Sequence, residues 1–287
     1  MQLPEYIHIE TKRTCNRRCS VCTVPSWEPI YELPLQIIEN IAQEIYASKR
    51  NHTVRFGYRS EFLTDPRCIQ IGNLFKQQHV LIVTNGDNIL QYIENGGYVN
   101  TIVFSVLGGL KGEYSYENVT GVPFEKLKLI ISQIPQSYNI SLAVNTVTPE
   151  DTIAVCNELK EYINSSIIIY PMLLPNDTFE SYSNRTKWFG ITSIIKQMIG
   201  VEIIENITGT MTNNNCMYSS NSVFINAEGN IDACCFHEGY HNIAKYESSL
   251  KHTLANPLLI NFRTKVKRGK LPSQLCIQNP RCGGILK

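Results

Sequence analysis

The chain has 287 residues, 43% apolar and 18% charged, enough to bury a sizeable core and incompatible with a disordered polymer. Its 26 Lys plus Arg nearly cancel 25 Asp plus Glu, so there is no global field to draw in nucleic acid or an anionic membrane. The longest apolar run, Ile167 to Leu174, is too short to span a bilayer, and MQLPEYIHIE lacks the apolar centre of a signal peptide; a cytoplasmic protein is expected, with neither nucleic acid nor membrane as a partner.

Short β-rich runs alternate with segments of helical period along the first two-thirds of the chain. In order, the spacing predicts a strand over Tyr6 to Glu10, a helix over Leu35 to Lys49, a strand over Thr53 to Tyr58 and a helix over Ile69 to Gln77. Strand Val80 to Thr84 and helix Asn88 to Asn95 come next, then strand Thr101 to Ser105 and helix Phe124 to Gln133. Strand Ile140 to Asn145, helix Pro149 to Tyr162, strand Ile167 to Tyr170 and helix Lys187 to Met198 complete the series. Pro34, Pro123 and Pro149 stand near helix starts, where proline is tolerated. The pattern is that of an α/β fold, a partial (β/α)6 TIM-like barrel over residues 1–205, with its active site at the carboxyl ends of the strands. After about Gly200 the rhythm breaks, and alternation over Ser222 to Ala233 around Glu228-Gly229-Asn230 predicts a β-hairpin. A helix over Leu254 to Val266 and a cysteine-bearing tail follow, so 206–287 read as a small second domain.

Ten cysteines need a reason in a reducing compartment, where metal or redox chemistry is the leading one. Cys15, Cys19 and Cys22 follow the first strand, and five more lie between 216 and 282, which suggests two metal sites. Thiolates favour iron-sulfur clusters or zinc, and structural zinc normally takes four protein ligands. Three thiolates on a four-iron cluster leave one iron open to a further ligand, for which an amino and a carboxylate group suffice. Arg13, Arg17 and Arg18 either add positive charge beside an anionic cluster or are solvated surface residues. Cys68 and Cys156, within predicted helices, are expected to pack in the core.

The segment CNRRCSVC, with Cys-x3-Cys-x2-Cys spacing after strand one, resembles the radical S-adenosylmethionine superfamily; Val21 stands where an aromatic residue is usual. The resemblance implies a 4Fe-4S cluster on Cys15, Cys19 and Cys22 that binds S-adenosylmethionine. Gly57-Tyr-Arg-Ser-Glu-Phe-Leu-Thr-Asp-Pro66 looks like the superfamily's Gly-Gly-Glu-Pro loop with two changes, which makes Glu61 the candidate carboxylate for the S-adenosylmethionine amino group, unless it is an exposed loop residue. Val83-Thr84-Asn85-Gly86 closes strand three as in many relatives and adds Asn85. Phe104-Ser105 with Tyr116-Glu-Asn-Val-Thr-Gly121 is similar to an arrangement of the peptide-modifying branch. Ser105 and Asn145, at strand ends, suit ribose or carboxylate hydrogen bonds or cap the segments that follow, and the backbone around Tyr170 and Met172 would face the adenine.

Cys216, Cys234, Cys276 and Cys282 resemble the auxiliary-cluster extension, SPASM or its shorter twitch form, and imply one auxiliary 4Fe-4S cluster; a stapling zinc site is the alternative. Cys235 is left over, as a hydrogen-atom donor to a substrate radical, as the ligand in place of Cys234, or as an inert thiol. The resemblance implies an enzyme whose 5'-deoxyadenosyl radical takes a substrate hydrogen. A maturase of a ribosomally made peptide is expected, crosslinking, epimerising or excising a residue, with a discrete leader-recognition protein and a reductant such as flavodoxin or ferredoxin. A dehydrogenase or epimerase of a small molecule such as an aminoglycoside or aminocyclitol is the alternative, and a zinc-stabilised interaction protein a third.

Overall fold

The computed structural model describes residues 2–22, 29–172, 191–205, 211–212, 215–216, 221–232 and 243–267. Seven strands, β1 (Tyr6–Ile9), β2 (Thr53–Phe56), β3 (His79–Thr84), β4 (Thr101–Leu107), β5 (Asn139–Thr146), β6 (Ser166–Pro171) and β7 (Glu202–Glu205), pair in chain order, each parallel to the next. Helices α1 (Leu35–Ala47), α2 (Cys68–Leu74), α3 (Ile89–Glu94), α4 (Tyr116–Thr120), α5 (Phe124–Ser132), α6 (Pro149–Leu159) and α7 (Ile191–Ile199) fill the connections. This is the α/β partial barrel that the alternation predicts.

Parallel strands carry apolar residues on both faces because both are covered. One face, including Ile7, Ile9, Val54, Phe56, Ile82 and Phe104, packs without exposure against Ile38, Ile41 and Ile45 of α1 and their counterparts on later helices. The opposite, inner face carries a separate small apolar group, Val83, Val103 and Ala143 with Leu81 and Tyr170. The barrel therefore has a helix-covered shell and a distinct interior wall. Two glycines are demanded by close approach. A Cβ on Gly57 would stand 2.0 Å from the Val83 carbonyl oxygen, and one on Gly108 would stand 2.6 Å from that of Tyr114; both have positive φ.

Three features depart from the sequence expectation. A seventh parallel strand, β7, extends the sheet beyond the sixth unit. The hairpin forms, as β10 (Ser222–Ile225) and β11 (Asn230–Asp232), but β10 also pairs in parallel with β1, so the hairpin continues the barrel sheet. The helix expected over Leu254 to Val266 is split into α8 (Leu250–Leu254) and α9 (Pro257–Lys267), because Pro257 opens the second helix and the Asn256 side chain accepts the Leu258 N–H at 2.9 Å. Short strands β8 (Met211–Thr212) and β9 (Asn215–Cys216) form an antiparallel pair, and β12 (Ala244–Lys245) lies beside β11. Cys216 thus sits in β9, while Cys234, Cys235, Cys276 and Cys282 lie outside the described residues. Cys68 and Cys156 are buried in helices as expected, and burial pushes the Cys156 thiol up to about 12, too high to ionise near neutrality. Among the described residues, no helix is long and apolar enough to cross a membrane.

Candidate functional site

The loop that leaves β1 is pinned before its first cysteine. Leu33 donates to the Thr11 carbonyl at 2.8 Å and Arg13 to that of Tyr31 at 2.9 Å, while Glu61 N–H reaches across to the Thr14 carbonyl at 2.9 Å. Further on, Ser20 N–H bonds the Val119 carbonyl at 2.9 Å and Cys22 N–H closes a turn on Cys19 at 3.0 Å. The loop is thereby held over the carboxyl ends of β1 to β3, against the end of α4.

Cys15 and Cys19 are half-buried and Cys22 is exposed. Burial raises the Cys15 thiol first, with the charges of Glu61 and Cys22 adding to it, against the Arg17 N–H that donates to its sulfur at 3.4 Å. Burial likewise lifts Cys19, and the neighbouring charges of Cys22 and Cys15 help to carry it to about 11. The three thiols feel one another, so they cannot all ionise cheaply without a positive centre between them. Among the described residues, no three His, Cys, Asp or Glu are gathered closely enough for a single metal ion. The all-thiolate donor set of Cys15, Cys19 and Cys22 is of the kind that a polynuclear iron-sulfur cluster takes.

Glu61 is 5% exposed, so the reading of it as an exposed loop carboxylate does not hold. Its Oε1 accepts from Thr84 Oγ1 at 2.9 Å and from Leu63 N–H at 3.3 Å, and its Oε2 accepts from Asn85 N–H at 2.7 Å. Burial outweighs these three donors and raises the carboxyl to about 7. With two acceptor positions on each oxygen, Oε2 keeps one to offer a further donor, and a cation there would restore the ionised form.

Asn85 joins this carboxylate to the cysteine loop. Its Nδ2 lies 2.8 Å from Asn16 Oδ1 and 3.9 Å from Cys15 Sγ. Its carbonyl accepts from Arg17 Nη2 at 3.0 Å. Arg17 is no solvated surface residue: it is 6% exposed, its Nε and Nη2 grip the two Asp87 oxygens at 2.9 Å each, and its Nη1 donates to Tyr116 Oη at 2.6 Å. Burial alone would raise the Asp87 carboxyl, but the bonds from Arg17 and Lys126 bring it down to about 2. Sequence reading names Arg17 only as one of three arginines beside the cysteines and does not mark Asp87; the further signal was the Tyr116 to Gly121 segment, whose helix α4 presents the phenol to Arg17 from between a Ser115 cap and the left-handed Gly121.

The remaining candidates lie along the ends of β4 to β6. Ser105 pairs with Ala143 and Asn145 with Tyr170, so all share the sheet face that carries the inner apolar group. Asn145 also accepts Gly108 N–H at 2.7 Å through its carbonyl, and Met172 N–H donates to the Thr146 carbonyl at 2.8 Å. Ser105, Asn145 and Tyr170 stay partly open, whereas Met172 is buried.

No protein-family model matches the sequence, and no curated protein matches it either. Solved structures do. SuiB of Streptococcus suis bound to S-adenosylmethionine superposes with a TM-score of 0.72 at 13% identity, over 99% of this chain and 72% of SuiB. The fold is the same. The anSMEcpe structure with bound AdoMet gives 0.65 at 12% identity over 98% of this chain and 88% of the other. BtrN in complex with AdoMet and 2-DOIA gives 0.56 at 14% identity over 99% and 94%.

Proposed function

We propose that this chain is a radical S-adenosylmethionine enzyme whose Cys15, Cys19 and Cys22 hold a 4Fe-4S cluster, and that it matures a ribosomally made peptide. The observation that carries the reading is the join between the three-cysteine loop and the buried Glu61 through Asn85. When bound, the cluster would supply the one electron that splits S-adenosylmethionine into methionine and a 5'-deoxyadenosyl radical able to remove a substrate hydrogen. The protein's part is to orient. Glu61 holds an ammonium group at Oε2, Arg17 and Asn85 fix the loop, and the ends of β4 to β6 with Ser105, Asn145, Tyr170 and Met172 line the nucleoside. One auxiliary cluster on Cys216, Cys234, Cys276 and Cys282 is part of the same proposal, with Cys235 beside it as hydrogen-atom donor, in a small domain over 206–287. So are a discrete leader-recognition protein, a flavodoxin or ferredoxin as reductant, and a cytoplasmic location.

The peptide reading is supported by SuiB, a neighbour whose structure was also solved bound to its precursor peptide SuiA. The small-molecule reading, a dehydrogenase or epimerase of an aminocyclitol or aminoglycoside, is supported by BtrN, a neighbour whose structure was solved in complex with AdoMet and 2-DOIA. Anaerobic reconstitution followed by incubation with reductant, S-adenosylmethionine and candidate peptides tests both. Formation of 5'-deoxyadenosine with a change in peptide mass or stereochemistry is expected; a colourless, iron-free protein would sink the enzyme reading altogether.

Replacing Glu61 by Gln is expected to leave iron content unchanged and to weaken S-adenosylmethionine binding roughly 10- to 100-fold, the worth of one charge-assisted hydrogen bond. Equilibrium dialysis with labelled S-adenosylmethionine measures it. Unchanged affinity would remove Glu61 from the site.

A further inference from the structure

The inner wall holds a second group of polar residues, one row below the cysteine loop. Pairing places His8 of β1 between Phe224 of β10 and Arg55 of β2, on the sheet face opposite the helix-packed Ile7, Ile9 and Phe56. His8 stacks on Phe224 with ring centres 4.1 Å apart and meets Tyr58 edge-on at 6.0 Å. It is 3% exposed, and its Nδ1 has no hydrogen-bond partner. Burial first, and the Arg55 charge second, hold this imidazole neutral. Two residues along β1, Glu10 is 1% exposed. Its Oε2 accepts from Ala227 N–H at 3.0 Å and from Arg13 at 3.4 Å, but its Oε1 is buried without a partner.

The charges around Glu10 are paired off. Arg13 also meets Glu228 at 2.9 Å, and Arg59 meets Asp232 at 2.8 Å. Arg55 is the exception: the residue is half-buried, its Nε is closed off from water without a partner, and it forms no ion pair with a described residue. Buried polar groups are rarely left unsatisfied, and water could fill the vacant hydrogen bonds but could not neutralise the guanidinium. An anion could do both.

We propose that the inner wall of β10, β1 and β2 is a binding subsite for a carboxylate, which Arg55 and His8 hold while Glu10 takes a neighbouring N–H or O–H of the same molecule. Its role as a substrate subsite rests on the enzymatic reading above; the binding itself does not. The matching ligand chemistry is that of an N-acylamino acid, a carboxylate one atom removed from an amide N–H, as at a peptide's carboxyl end or in a small organic acid. Beside it, beginning at Leu81, the register partner of Arg55 on β3, runs the apolar group Leu81, Val83, Val103, Ala143 and Tyr170, which suits the rest of such a molecule.

The test uses the reconstituted full chain and N-acetylglycine as probe, with acetate and N-acetylglycinamide as controls, read as a thermal shift. N-acetylglycine is expected to raise the midpoint in proportion to the logarithm of its concentration above the dissociation constant, by roughly 3 °C at ten times that constant. N-acetylglycinamide, lacking the carboxylate, should give no shift, and acetate, lacking the N–H, a smaller one. Arg55→Met should abolish the response while leaving the midpoint without probe unchanged or higher, since it removes an unpaired charge. No shift with N-acetylglycine, equal shifts for N-acetylglycine and its amide, or a lower probe-free midpoint in R55M would each overturn the site. Cleavage of S-adenosylmethionine by the wild type, measured alongside, separates the two readings. Binding without cleavage sinks the enzyme and keeps the site; cleavage without binding does the reverse.

Discussion

Replacing Cys15, Cys19 and Cys22 together by alanine is expected to reduce 5'-deoxyadenosine formation to the level of a protein-free control and to cut iron from about eight to about four atoms per chain, the complement of one 4Fe-4S cluster. The expectation follows from the chemistry of the loop. Its thiols raise one another and ionise together only around a cationic centre, and Cys68 and Cys156, buried in helices, offer it no substitute ligand. Cys156→Ala is the control for damage elsewhere: it removes one buried atom from the core and should leave iron content and the S-to-iron absorption band unchanged. If the triple variant keeps its full iron, the cluster is held elsewhere and the proposed function fails with it. A protein with about four irons per chain or fewer before any substitution would remove the auxiliary cluster.

The barrel could be read from the sequence because the strands are short β-rich runs with apolar residues and each helix repeats its apolar residues at helical spacing, so strands such as Val80 to Thr84 and Ile140 to Asn145 were located to within a residue or two. What escaped was set by pairing rather than by pattern. Nothing in Ser222 to Ile225 announces that it will lie parallel to Tyr6 to Ile9, a partner more than two hundred residues away, and β7 was missed because Glu202 and Glu205 bracket only two apolar residues. The site divided in the same way. Cysteine spacing is local and was visible, whereas the burial of Glu61 depends on Thr84 and Asn85 from the next strand, and that of Arg17 on Asp87 and Tyr116. An arginine between two cysteines, with a second beside it, looks the same in a sequence whether it is solvated or clamped.

Arg17→Met is expected to destabilise the fold by about 3 kcal/mol and to lower the iron retained after reconstitution and desalting several-fold. A buried ion pair that loses one partner typically costs 3–5 kcal/mol, because the other is left charged in poor surroundings. Here Lys126, 3.1 Å from Asp87, and Asn16, 2.8 Å from it, keep the loss near the lower end of that range. The pH dependence carries a sign. Because the Asp87 carboxyl is lowered from 3.8 to about 2, the pair contributes fully above about pH 4 and its contribution is lost as pH falls toward 2, so wild type and variant should converge in acid. Arg17→Lys keeps the charge but not the fork that grips both carboxylate oxygens, and should fall between the two. The double variant Arg17→Met, Asp87→Leu separates stability from positioning. Removing both charges should recover much of the unfolding free energy, yet Tyr116 and the Asn85 carbonyl still lose their donor, so the loop stays loose and iron retention stays low. Denaturant unfolding and iron assays on the same samples read the two effects apart. Recovery of both in the double variant would make Arg17 a stabilising residue only, and its absence from iron retention in the single variant would show that the cysteine loop holds its shape without the clamp.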